Sequence, residues 1–191
     1  MEPTSILVVD DDRLILFTLA KGLRDAGFTV IEAGSGEQAL EMCADFVPDL
    51  AILDMRMPGL SGLDVARWLR ENNGAPFIFL SAYDDHETVQ QAVAEGALSY
   101  LVKPVDVPHV LPTLHAALAR ARELRAMKQN ELHLQHALNS SRDISVAIGM
   151  LMERYDYGQQ EAFEKLRRSA RDQRRKAGEV ASDIINGMEF L

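Results

Sequence analysis

Three consecutive aspartates, Asp10, Asp11 and Asp12, close the apolar run SILVV, and a further aspartate, Asp54, closes the run LAIL. Adjacent carboxylates repel, and the repulsion grows where an apolar strand draws them toward a low-dielectric interior. A cation must therefore offset it. A hard divalent ion such as Mg²⁺ takes oxygen ligands, keeps several waters and is held by one or two carboxylates together with a phosphate. Asp10 and Asp11 supply most of such a cradle, while Asp12 is placed to cap the helix that follows. Asp54 beside that cation is a carboxylate able to attack phosphorus and form an acyl phosphate. The resulting dianion calls for donors, and two further runs end in them: Ser81 after PFIFL and Lys103 after LSYLV.

These residues are useful only if one scaffold gathers them. Strand-like runs occur at 5–10, 28–33, 49–54, 76–81 and 98–102, each separated by a stretch whose apolar residues recur every three or four positions. The intervening helices are RLILFTLAKGLRDAG, GEQALEMCADF, GLDVARWLREN and HETVQQAVAEG, with Gly27, Gly74 and Gly96 standing at their ends. Nearly all-apolar strands alternating with helices imply a parallel sheet covered on both faces. In such a sheet chemistry collects beyond the carboxyl ends of the strands, near the switch point. Asp10, Asp11, Asp54, Ser81 and Lys103 all fall there.

Taken in order, VVDDD, LDMRMPGLSGLD, LSA and VKP closely resemble the receiver domain of two-component response regulators, over about 120 residues. The resemblance implies a flavodoxin-like α/β fold with a doubly wound five-stranded sheet in the order 2-1-3-4-5. It implies that a partner histidine kinase phosphorylates Asp54, and that Asp10, Asp11, Asp54 and the backbone carbonyl of Arg56 hold Mg²⁺. Ser81 and Lys103 would bind the phosphoryl group, Tyr100 would turn inward as Ser81 moves, and Lys103-Pro104 would be cis.

The chain has 191 residues, 47% of them hydrophobic, with a net charge of −9 that is unevenly spread. Residues 1–120 carry 8 Lys/Arg against 18 Asp/Glu, whereas residues 121–191 carry 12 against 11. The two parts therefore have different work. One cysteine, Cys43, excludes an internal disulfide framework and disfavours a thiolate zinc site. No run approaches a membrane span and the start of the chain lacks a secretory pattern, so a cytoplasmic protein without membrane contact is expected.

From Val107 onward strand patterns vanish. Val110, Leu114, Leu118 and Ala121, continued more loosely by Leu111, Leu124, Met127, Leu132, Leu134 and Leu138, form a stripe that either pairs with a second copy as a coiled coil or packs on the sheet. A helix break is expected at ALNSSRD (137–143), with Ser140, Ser141 or Asp143 capping a new helix. Three short helices should follow: ISVAIGMLMERY, QQEAFEKLRRSARDQRR and EVASDIINGMEF, joined at Asp156–Gly158 and Ala177–Gly178. The run EKLRRSARDQRRK sets Arg167, Arg171 and Arg174 at i, i+4 and i+7 on one helix face, a spacing suited either to a nucleic acid backbone or to a solvated surface.

SVAIGMLMERY followed by EAFEKLRRSARDQRRKAGEVASDII resembles the ANTAR domain, the output module named for the AmiR and NasR antitermination regulators, over about the last 50 residues. The resemblance implies a three-helix module that binds hairpins in leader transcripts and prevents terminator formation. Arg167, Arg168, Arg171, Arg174, Arg175 and Lys176 would form its RNA face, and Ile148 stands where many members carry Lys. Tyr155 and Tyr157 offer rings to a loop base but are read chiefly as structural. The expected organisation is a receiver at 1–120, a helical linker or coiled coil at 121–143 and the RNA-binding module at 144–191, active as a homodimer. A DNA-binding transcription factor and a protein-binding adaptor are the rival readings. Enzymatic output is not expected, because no acid, base or nucleophile set follows Pro104, and His133 and His136 lack a third ligand nearby in sequence.

Overall fold

The computed structural model describes residues 4–82 and 86–187. Five strands, β1 (Ser5–Val9), β2 (Thr29–Ala33), β3 (Leu50–Asp54), β4 (Phe77–Ser81) and β5 (Tyr100–Val102), form one parallel sheet in the order β2-β1-β3-β4-β5. The helices α1 (Arg13–Asp25), α2 (Gly36–Asp45), α3 (Gly62–Asn72) and α4 (His86–Ala94) alternate with them, and α5 (Val107–Tyr155) follows β5. The strands are apolar on both sides because both sides are covered. Leu7, Val9, Leu53, Phe77 and Phe79 face a core shared with α2 and α3, while Ile6, Val8, Ile52, Ile78 and Leu80 face one shared with α1 and the start of α5.

The helix ends follow local chemistry. Asp12 caps α1, its Oδ1 accepting from the Leu14 and Ile15 amides at 2.8 and 3.3 Å. The same helix closes when Gly27 adopts φ +93° and the Gly27 and Phe28 amides turn back to the Arg24 and Leu23 carbonyls. A side chain would be strained in that left-handed conformation. Gly74 and Gly96 also take positive φ at the ends of α3 and α4, as their positions in the sequence imply. Ser61 and Asp64 form a reciprocal capping box at the start of α3.

The chain divides into two compact units, at residues 1–124 and 125–191. In the second, the end of α5 joins α6 (Gln159–Asp172) and α7 (Ala177–Ile185) around Ala147, Leu151, Ala162, Leu166, Ala170, Val180 and Ile184. The sequence pattern expected a break at 137–143, and the structure overturns this: α5 is unbroken from Val107 to Tyr155. The serines find partners without leaving the helix. Ser145 Oγ donates to the Ser141 carbonyl at 3.0 Å, and Ser140 lies against Gly178 of α7, where an added Cβ would sit 2.0 Å from its Oγ. The stripe on α5 divides in two. Val110, Leu114 and Leu118 fill the core beneath the sheet, whereas Met127, Leu132, Leu134 and Leu138 are exposed.

The basic helix is shorter than its pattern implies, ending at Asp172. Arg174 takes φ +53°, its amide reaching the Arg171 carbonyl and that of Arg175 the Ala170 carbonyl. This is the hydrogen-bond pattern that glycine usually terminates, so composition gave no sign of it. Arg174 therefore leaves the helix face it was expected to share with Arg167 and Arg171, and the connection between α6 and α7 falls before Ala177. The third tail helix differs from the expected span 179–190: it starts earlier, at Ala177, and closes after Ile185, where the Asn186 and Gly187 amides turn back to the Ser182 and Ile184 carbonyls and Gly187 takes φ +81°, while the expected segment 188–190 lies outside the described residues.

Candidate functional site

Parallel register brings the acids together. Val9 pairs with Leu53, so Asp10 and Asp54 are the next residues out along two neighbouring strands. Asp54 in turn pairs with Leu80, and Ser81 with Val102, which sets Ser81 and Lys103 at the same edge. Carboxylate oxygens of Asp10, Asp11 and Asp54 lie within 4.8 Å of one another. Asp10 and Ser81 are each 1% exposed and Asp54 8%, whereas Asp11 is open to solvent. Lys103 reaches between two of the acids, its Nζ 2.7 Å from Asp10 Oδ2 and 3.2 Å from Asp54 Oδ2. Asp10 Oδ1 accepts from the Asp12 amide at 3.0 Å.

Burial pushes the Asp54 carboxyl above the ordinary carboxylate range; Lys103 pulls it down, and the charge of Asp10 pushes it up again. For Lys103, burial acts to lower the pKa, but the hydrogen bond to Asp10 and the charges of both acids outweigh it and hold the ammonium above the ordinary lysine range. Lys103 is thus a fixed cation at neutral pH. The acid cluster offers the hard oxygen donors, on converging strand ends, that a divalent ion such as Mg²⁺ takes.

The surroundings hold the end of β3 in place. Gly62 packs so tightly against the end of β3 that a Cβ there would lie 2.0 Å from the Asp54 carbonyl oxygen. Sequence reasoning missed this contact; its only trace was the SGLD capping pattern that fixes where α3 begins. Arg56 lies two residues beyond Asp54, and its backbone amide hydrogen-bonds Asp54. Tyr100 is partly buried against the core, with its hydroxyl buried and without a hydrogen-bond partner among the described residues. Lys103-Pro104 is cis.

The second unit gathers the basic residues unevenly. Arg175 is engaged within the fold, at 2.6 Å from Asp183 Oδ2 and 3.7 Å from Glu179, and Arg167 lies 3.8 Å from Glu164. Arg168, Arg171, Arg174 and Lys176 are exposed and form no ion pair among the described residues. Ile148 is partly buried against the tail core, so its apolar side chain serves packing. His133 and His136 are exposed, and the acid trio is the only cluster of potential metal ligands among the described residues. No described helix is long and apolar enough to cross a membrane.

Comparison with known proteins matches both units. The family model for the response regulator receiver domain matches residues 6–115, and that for the ANTAR domain matches residues 132–185. The chain is 32% identical over 184 residues to the transcriptional regulatory protein PdtaR of Mycobacterium tuberculosis, covering 96% of this chain and 90% of that one. It is 38% identical over 115 residues to the DNA-binding response regulator MtrA of Mycobacterium leprae, covering 60% of this chain and 51% of that protein. Among solved structures it is similar to the chemotaxis protein CheY4 of Vibrio cholerae, with a TM-score of 0.58, 30% identity, and coverage of 60% of this chain and 98% of that one. A sheet ordered 2-1-3-4-5 with acids, serine and lysine at its carboxyl edge, followed by a compact helical tail, agrees with these matches along nearly the whole chain. It belongs to the response regulators that join a receiver domain to an ANTAR domain.

Proposed function

We propose that this response regulator is phosphorylated on Asp54 by a partner histidine kinase and that the modification controls RNA binding and transcription antitermination by its tail. The observation that carries the reading is the meeting of Asp10, Asp11 and Asp54 within 4.8 Å, with Lys103 Nζ against two of them, in a chain whose other unit is an ANTAR domain. An Asp54 carboxylate oxygen forms a bond to phosphorus as the bond from phosphorus to the donor imidazole nitrogen breaks. The electron pair stays on that nitrogen, which takes a proton. Mg²⁺, when held by Asp10, Asp11, Asp54 and the Arg56 carbonyl, supplies charge compensation for the transferring group. Lys103 then exchanges carboxylate partners for phosphoryl oxygen, and the Ser81 hydroxyl donates a further hydrogen bond.

Phosphorylation biases a pre-existing equilibrium of the receiver, with Ser81 and Tyr100 as the moving parts. Tyr100 supports this role because a buried hydroxyl without a partner is costly to keep, by about 1–3 kcal/mol. The modified form pairs as a homodimer and presents two tails to a leader transcript carrying hairpins. Arg168, Arg171, Arg174 and Lys176 are the residues available to its phosphates, whereas Arg167 and Arg175 are partly committed to neighbouring acids. The domain boundaries that fit this reading are a receiver over 1–120, a helical connector over 121–143 and an RNA-binding module over 144–191, although the matched ANTAR segment starts earlier, at residue 132.

The test is direct. Purified protein with Mg²⁺ and a small labelled phosphodonor should take up label, and Asp54→Ala should not. Uptake undiminished in Asp54→Ala would overturn the assignment. Phosphorylated protein should bind hairpin RNA in preference to duplex DNA of matched sequence, with affinity that falls as salt rises.

A further inference from the structure

The connection between α5 and α6 carries two tyrosines that lean on one another. Tyr155 is the last residue of α5, Asp156 takes φ +57°, and Tyr157 follows. The left-handed residue between them brings the two rings to one side, with centroids 5.4 Å apart and planes inclined by 18°. This is an offset stack of near-parallel rings. The two members differ in their surroundings. Tyr157 packs against the core of the tail and has Lys165 Nζ 5.5 Å from its ring centre. Tyr155 is 41% exposed, and the Arg154 guanidinium carbon stands 6.0 Å from its ring centre.

We infer that Tyr155 is a stacking platform for an unpaired base of a hairpin loop, a reading that rests on the RNA-binding function proposed above. The anchored Tyr157 holds the Tyr155 ring in place, so a base joining the stack does not have to order it first. An RNA loop supplies such bases, since sequence-specific recognition of RNA relies on unstacked bases laid on aromatic rings. The charges nearby fit a base better than a phosphate. Glu153 and Asp156 flank Tyr155 in the chain and repel backbone phosphate, whereas Arg154 is exposed, forms no ion pair among the described residues and can close over a stacked base. An apolar protein partner would leave Arg154, Glu153 and Asp156 to be desolvated together.

Stem-loop RNAs with one common stem and loops of adenosine, uridine or abasic ribose test the platform on the full-length protein and its variants, each phosphorylated with a small phosphodonor. The parent should prefer the adenosine loop over the abasic loop by about tenfold or more. Tyr155→Ala should lose that preference while keeping its salt dependence, and Tyr155→Phe should keep both. A fluorescent adenine analogue in the loop should be quenched by the parent and by Tyr155→Phe but not by Tyr155→Ala. Hairpin binding with an unchanged loop preference in Tyr155→Ala overturns the platform and leaves the RNA-binding function standing. Failure of the parent to bind any of the stem-loops removes that function and the platform with it.

Discussion

Lys103 is the residue on which the electrostatics of the receiver turns, because its ammonium holds together Asp10 and Asp54 at 2.7 and 3.2 Å. Lys103→Met leaves two buried carboxylates facing each other without that cation. It should cost the receiver about 2 kcal/mol in the presence of chelator, below the usual loss for a fully buried pair because Lys103 keeps some contact with water. Mg²⁺ should restore much of this. In the parent, Mg²⁺ at about a hundred times its Kd should add about 2.7 kcal/mol, and Asp10→Asn combined with Asp11→Asn should abolish the gain, both read from thermal melts with and without chelator. An equal Mg²⁺ gain in the double variant would sink the assignment of these acids. The five groups of this site, Asp10, Asp11, Asp54, Ser81 and Lys103, were legible in the sequence because each is a polar residue at or just beyond the end of an apolar strand. The engagement of Arg175 with Asp183 was not, since it depends on a left-handed turn at Arg174 that an arginine does not announce.

At the scale of elements, α3 rests on a capping box that also fixes the segment running back to Asp54. The Ser61 hydroxyl accepts from the Asp64 amide at 3.3 Å, and Asp64 Oδ2 accepts from the Ser61 amide at 3.0 Å and from its hydroxyl at 2.6 Å. The Ser61 hydroxyl, and after it the Ser61 amide, hold the Asp64 carboxyl below the ordinary carboxylate range. A lowered carboxyl contributes stability that is fully present above the ordinary range and is lost as pH falls through the folded value. Ser61→Ala should therefore cost about 1 kcal/mol at neutral pH. Its deficit against the parent should narrow in acid as Asp64 takes up a proton, read as urea midpoints over a pH series; a constant deficit would assign the loss to packing instead. Strands and the first four helices could be read from the chain because period, caps and terminal glycines agree there. The continuity of α5 could not. Ser140, Ser141 and Asp143 are residues that start helices, and only the approach of Gly178 to Ser140 reveals that tertiary packing favours an unbroken one.

At the scale of the whole molecule, that continuity bears on assembly. Leu124, Met127, Leu134 and Leu138 are all at least 42% exposed and, with Glu131 between them, repeat at alternating intervals of three and four residues along one unbroken helix. That is the spacing of a coiled-coil seam, and burying it against a second copy removes four large apolar side chains from water. The single acid in the seam weakens it, which suits a pairing that forms only when phosphorylation adds its own bias. Leu134→Glu with Leu138→Glu should leave the receiver fold and Asp54 labelling intact, since neither side chain is part of any of the three cores. In sedimentation the phosphorylated parent should run as a dimer and the phosphorylated variant as a monomer. Because joining two tails makes the second binding event intramolecular, the variant should lose about a hundredfold in affinity for RNA with two hairpins and little for RNA with one. Equal losses on both RNAs would show that the helix contributes directly to the RNA contact, and a dimeric variant would place the pairing surface elsewhere.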